Sequence, residues 1–161
     1  MIVSNTTPLS NLIQLQLLTL LGDLWGAVSI SMAVQQELER GAAFLGSWQD
    51  VAGASAVQVL EVSEEPLTQQ FLLSLHLGEA EALTLAIREH ASLFLCDDLD
   101  ARMVADHHGI PVTGTLGILL KAKQEHLIPE VSPYLERLRQ EVRFWFTDDL
   151  YRQIQELANE G

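Results

Sequence analysis

Two hydrophobic rhythms alternate along this chain. Short continuous apolar runs of strand length occur at Ile2-Val3, Ala27-Val28-Ser29-Ile30 and Leu93-Phe94-Leu95-Cys96. Val57-Gln58-Val59-Leu60-Glu61-Val62 alternates instead, as a strand at a sheet edge does, and Val112-Thr113-Gly114-Thr115 reads as a short last strand and its turn. Between these runs the apolar positions fall three and four apart, the period of a helix with one buried face. Thr7 is expected to cap the first helix with Pro8 at its first position and Leu9, Leu12 and Ile13 inward. Leu15, Leu17, Leu18 and Leu21 predict a second helix, closed by Gly22, whose leucines are core. Ser31 caps a third, with Val34 and Leu38 inward, that ends near Gly41. The stretch from Ala42 to Ala54, which contains Trp48, carries the least pattern and reads as a flap or a short helix. Pro66 opens a helix through Phe71, Leu72 and Leu75. Gly78 breaks the chain ahead of a central helix with Ala82, Leu83, Ala86 and Ile87 on its buried face. Ala101 to His108 is a helix stopped by Gly109, and another runs from Leu116 to about Glu125. After a break at Ile128-Pro129, one helix spans Pro133 to Glu141, and Thr147 caps a last one carrying Leu150, Ile154 and Leu157.

Strands that alternate with helices predict an α/β fold with a mostly parallel sheet covered on both faces, Ile2-Val3 and Phe94-Leu95 in its interior. No repeat or linker divides the sequence, so residues 1–161 are expected to form a single domain, with the helices from about 130 as an extension. Charge changes the picture more than composition does. A net charge of −13 opposes indiscriminate binding to nucleic acid, which needs Lys and Arg against phosphate. It leaves room for local binding through metal ions bridging carboxylates to phosphate, or for a basic protein partner. The lone cysteine, Cys96, excludes an internal disulfide and a cysteine-cluster zinc site. Neither a secretory signal nor a membrane-length apolar run is present, so a cytoplasmic protein without a membrane partner is expected.

The acidic residues sort by position. Asp97 and Asp98 close the apolar run that ends at Cys96, where an α/β sheet places its ligand crevice. Adjacent residues in extended chain face opposite ways, so one of the two is expected to point into the cleft. Glu79 and Glu81 stand in the first turn of the central helix, where the helix dipole favours carboxylates. They are about 200° apart by the helical period, so again one points inward. Glu37 follows the second strand, and Asn5 lies just past the first, at the same kind of strand end as Asp97. Each acid alone is an ordinary cap; their recurrence at one end of the sheet is what sets them apart. An oxygen-rich cluster of this kind suits Mg²⁺ or Mn²⁺, ions that activate water and neutralise charge developing on a phosphodiester. The histidines His76, His90, His107 and His108 lack a partner at ligand spacing and read as surface residues. Cys96 reads as a buried, inert thiol. A P-loop and a Gly-x-Ser-x-Gly elbow are both absent. Thr113-Gly114-Thr115-Leu116-Gly117 is a short candidate for holding phosphate on backbone amides at a helix start.

Taken in order, Val3-Ser4-Asn5-Thr6-Thr7-Pro8-Leu9, Gly78-Glu79-Ala80-Glu81-Ala82, Asp97-Asp98 with Ala101-Arg102 and Ala105, and Gly109-Ile110-Pro111-Val112-Thr113-Gly114-Thr115-Leu116-Gly117 resemble the motifs of PIN-domain proteins. They look most like the PIN-like subfamily known as predicted nucleic-acid-binding proteins. The resemblance implies a three-layer α/β/α fold and a Mg²⁺- or Mn²⁺-dependent endoribonuclease. It further implies RNA as substrate and kinship with the toxins of bacterial toxin–antitoxin pairs, hence an antitoxin-like protein partner and a homodimer. By the same resemblance Asn5, Glu37, Glu79 and Asp98 take the catalytic positions. Glu37, Glu79 or Glu81, and Asp97 or Asp98 are the metal ligands, and Ser4, Thr6, Thr113 and Thr115 are the candidate substrate-binding positions. The sequence departs from the family pattern where Asn5 replaces the usual aspartate and where Thr115 stands at a further acidic position. An amide oxygen coordinates Mg²⁺ without bringing charge, so weak metal binding is expected. The alternative is a catalytically degenerate PIN-like protein that binds protein or RNA. An aspartate-nucleophile phosphatase would want Asp-x-Asp after the first strand, which Asn5-Thr6-Thr7 does not supply.

Overall fold

The computed structural model describes residues 1–41 and 47–161. Its centre is a 5-stranded sheet of β1 (Ile2–Ser4), β2 (Val28–Ser31), β3 (Val57–Leu60), β4 (Leu93–Leu95) and β5 (Val112–Thr113), in the order β3-β2-β1-β4-β5. Every neighbouring pair is parallel. The short apolar runs become strands because both faces of the sheet are covered: all of β2 is buried, and Phe94 and Leu95 of β4 are fully enclosed. The alternating run becomes the edge strand β3, with Gln58 exposed. Both β1 and β4 are interior, as their patterns predict.

Around the sheet lie α1 (Thr6–Gln14), α2 (Thr19–Trp25), α3 (Met32–Gly41), α4 (Pro66–Phe71), α5 (Leu77–Arg88), α6 (Leu99–His107), α7 (Thr115–Gln124), α8 (Ser132–Arg137) and α9 (Asp148–Leu157). The chain crosses from β1 to β2 to β3 in one direction, then returns over the sheet to β4 and β5. Right-handed crossovers in both directions cover both faces and give three layers. The direction reverses between β1 and β4, and the C-terminal ends of those two strands therefore bound a crevice.

Several helix boundaries differ from the sequence expectation, each for a local reason. The first helix is capped by Asn5 and not Thr7, because the Asn5 side chain accepts from Thr6 N at 2.8 Å. Gly22 lies inside α2, and Gly26, at φ 76, ends it. The central helix begins before Gly78, with His76 as its N-cap residue. Gly78 is needed there for room and not as a break: a Cβ would overlap the Glu37 carboxylate. The helix expected from Pro133 to Glu141 is α8 followed by a π-turn over Leu138–Val142. Of the unpatterned stretch from Ala42 to Ala54, residues 42–46 lie outside the described residues. The remainder holds short 3-10 turns at Trp48–Asp50 and Ala54–Ala56, with Trp48 buried.

Candidate active site

The crevice at the β1 and β4 ends gathers side chains from four helices. Asn5 leaves β1 with its N–H on Leu95 O, 2.9 Å away, so the two strand ends are tied together. Its side chain is almost wholly buried, with Oδ1 on Thr6 N and Nδ2 donating to Cys96 Sγ at 3.7 Å. The Thr6 hydroxyl donates to Glu37 Oε2 on α3. Glu37 Oε1 stands 3.4 Å from His76 Nδ1, and His76 Nε2 is 2.9 Å from Glu79 Oε1. Glu79 also accepts the His76 backbone N–H at 3.4 Å, the local reason that it folds back over the start of α5. Asp98 caps α6 by accepting Ala101 N at 2.8 Å.

Glu79 is buried, and that burial raises its pKa above the ordinary carboxyl value. Repulsion from Asp98 and, more weakly, from Glu37 adds to the rise, while His76 opposes it. The sequence left two pairs of acids undecided, and the structure separates each pair. Glu81 turns to α3, where Oε2 accepts Ala33 N at 3.0 Å. Asp97 turns to α7, accepting Thr115 N at 2.8 Å and the Thr115 hydroxyl at 2.6 Å. In both pairs one acid faces the crevice and the other satisfies the open amides of a neighbouring helix.

Asp97 and Glu81, candidate metal ligands by sequence, thus each accept hydrogen bonds from the start of a neighbouring helix. Two of the candidate substrate-binding residues are enclosed as well. Ser4 is fully buried with its hydroxyl on Asn5 O, and Thr115 is fully buried between Asn11 Nδ2, at 3.0 Å, and Asp97. Both hydroxyls are satisfied within the protein. Thr6 is committed to Glu37, and Thr113 is half-buried on β5. Burial holds the Asp97 carboxyl above its usual range, against the two Thr115 hydrogen bonds. Burial likewise pushes the Cys96 thiol up to about 11, in keeping with an inert cysteine.

Two residues at the site were missed as functional candidates. His76, read as a surface histidine, is 58% exposed yet bridges Glu37 and Glu79. Its place three residues before Glu79, at a helix N-terminus, was the available signal. Arg102 donates from Nη1 to Cys96 O at 3.1 Å and brings positive charge to the same strand end beside Asp97. The sequence offered it only as part of a motif. Glu37, Glu79 and Asp98 are hard oxygen donors of the kind Mg²⁺ and Mn²⁺ take. A cation would relieve the repulsion that raises Glu79, so the donor chemistry fits such an ion. Among the described residues, no three Asp, Glu, His or Cys side chains are already drawn together as a metal site.

No curated protein matches the sequence. Among solved structures, the fold is similar to that of a PilT N-terminus domain protein from the hyperthermophilic archaeon Sulfolobus solfataricus P2. That match has a TM-score of 0.56 and 19% identity, over 76% of this chain and 93% of that one. The model of the family described as DUF3368, PIN domain, matches residues 1–160, and the chain belongs to that family.

Proposed function

We propose that this PIN domain is a Mg²⁺- or Mn²⁺-dependent endoribonuclease whose metal is held by Glu37, Glu79 and Asp98. The observation that carries the reading is the Thr6–Glu37–His76–Glu79 chain of contacts just past β1, with Asp98 just past β4, where the sheet changes direction. A divalent ion there supplies Lewis-acid neutralisation of the phosphodiester and a more acidic water. The chain's own residues do the positioning. Thr6 and His76 hold Glu37, His76 also holds Glu79, and the Ala101 amide fixes Asp98. Arg102, anchored on Cys96 O, offers a guanidinium to a phosphate approaching the strand ends.

Glu79→Gln tests the proposal. The expected result is loss of Mg²⁺ affinity by calorimetry and a fall of single-stranded RNA cleavage by at least about tenfold, with the folded state retained. Unchanged affinity and rate would remove Glu79 from the site. A second reading, a PIN protein that binds without cleaving, is favoured by one observation: Asn5 is committed to capping α1. Metal binding without cleavage in the wild type supports that alternative. The toxin role is a finer form of the first reading. In a growing host it predicts growth arrest by the wild type and none by Glu79→Gln.

A further inference from the structure

Residues 137–152 run against the acidity of the rest of the chain. They hold Arg137, Arg139, Arg143 and Arg152 against Glu141, Asp148 and Asp149, in a protein of net charge −13. The same stretch holds Phe144, Trp145, Phe146 and Tyr151. Arg143 ends the π-helical turn in a left-handed conformation, at φ 58, and residues 144–147 then link it to α9 without joining the sheet. Phe146 is buried and Phe144 half-buried, whereas Arg143 and Trp145 are exposed, Trp145 to 81%. Arg139 packs beneath, its guanidinium 4.7 Å from the Phe146 ring centre and 4.6 Å from that of Tyr151. A groove of about 500 Å³ is lined by Arg139, Arg143, Trp145 and, at its α9 end, Asp148, which pairs with Arg139. Arg137, Arg139 and Arg152 each pair with an acid, whereas among the described residues Arg143 pairs with none.

We propose that Arg143 and Trp145 form a docking strip for single-stranded RNA outside the catalytic crevice. The inference rests on the ribonuclease reading for the identity of the ligand. An unpaired guanidinium and an exposed indole stand two residues apart in the chain. That places a cation for one phosphate beside a platform for a stacked base, the two elements of sequence-tolerant single-strand binding. Arg143 gives the strip a guanidinium that is in no ion pair among the described residues. A protein partner would need a contiguous apolar patch around the aromatic anchor. Here Trp145 is the one large apolar side chain exposed between residues 128 and 156. Arg137 donates to Gln14 O and Leu15 O, which seats the strip's base at the C-terminal end of α1, a helix length from Asn5. A bound strand would lie along α1 on its way to the crevice.

The test is anisotropy of a labelled uridine-rich RNA in chelator, so that binding is read without cleavage. Trp145→Ala is expected to weaken binding by about tenfold or more, and Trp145→Phe to retain most of it. Arg143→Ala should lower the slope of log affinity against log salt by about one. Because Trp145 is the most exposed of the three tryptophans, Trp48 being buried and Trp25 half-buried, RNA should also quench the wild-type tryptophan fluorescence, and Trp145→Phe should lose most of that response. Wild-type affinity in both alanine variants overturns the proposal. So does an RNA-independent oligomer, seen by sedimentation, that Trp145→Ala dissolves, since the strip is then a protein interface. The chelator keeps the two readings apart. Loss of binding in Trp145→Ala with no metal-dependent cleavage by the wild type leaves the strip standing and removes the nuclease.

Discussion

Asn5 is a cap first. Its Oδ1 satisfies the opening amide of α1 and its Nδ2 meets the Cys96 sulfur, so both polar atoms of the amide already have a partner within the protein. Aspartate caps helices as well as asparagine does. Asn5→Asp should therefore keep α1 in place while putting a second carboxylate oxygen where Nδ2 now sits. That oxygen adds charge to a crevice where Glu79 is already raised by burial and by Asp98. The expected outcome is tighter Mg²⁺ binding, a lower melting temperature in chelator, and recovery of that loss when Mg²⁺ is added. Calorimetry and thermal melts with and without the ion measure all three. An equal melting temperature in chelator would mean that position 5 lies outside the field of the acids. At this scale the sequence was only half legible. It identified the acids and the strand ends, but which member of Glu79/Glu81 and of Asp97/Asp98 faces the crevice depends on which neighbouring helix start needs a carboxylate. Ala33 N draws Glu81 and Thr115 draws Asp97, and neither demand can be read from a local period.

The α3–α5 contact shows how whole elements set the site. Gly78, in the first turn of α5, lets the Glu37 carboxylate of α3 lie directly on its backbone. On propensity alone Gly78→Ala would stabilise the helix by about 1 kcal/mol. The overlap of the new Cβ with Glu37 outweighs that gain, because overpacking costs about 1–3 kcal/mol and here also displaces a charged group held by Thr6 and His76. The variant should melt below the wild type and bind Mg²⁺ more weakly; a more stable protein would show that Glu37 moves aside freely. A second element contact, between β4 and α7, rests on the Asn11–Thr115–Asp97 chain of hydrogen bonds. Thr115→Val keeps the shape but leaves the buried Asn11 Nδ2 and the half-buried Asp97 Oδ2 without their shared partner, and a loss of about 1–3 kcal/mol in denaturant unfolding is expected. The order of strands and helices was legible because each run has its own period. The use of Gly78 was not: a glycine kept for side-chain room looks, in sequence, like one that ends a helix. Thr115 read as a missing acid for a related reason, since its partner lies 18 residues earlier in the chain.

On the scale of the whole molecule, one carboxylate fastens the C-terminal helices to the sheet layers. Glu160 accepts Lys123 Nζ at 2.8 Å from α7, and Val131 N and Ser132 N, both at 2.8 Å, at the start of α8. α8 has no side-chain cap of its own, so the acid just beyond α9 closes it from afar. Burial by itself would push the Glu160 carboxyl up. The hydrogen bonds from Lys123, Val131 and Ser132 outweigh it and hold the group at about 2, below the ordinary 4.5. A carboxyl held low in the folded state stabilises fully above its unfolded value, and that contribution is lost as pH falls through the folded one. Glu160→Gln should thus cost roughly 2–3 kcal/mol at neutral pH, with the gap to the wild type closing between pH 4.5 and about 2. Urea unfolding of the two proteins at neutral pH and near pH 2.5 measures the gap. A difference that does not shrink in acid would assign the loss to packing and not to the charge.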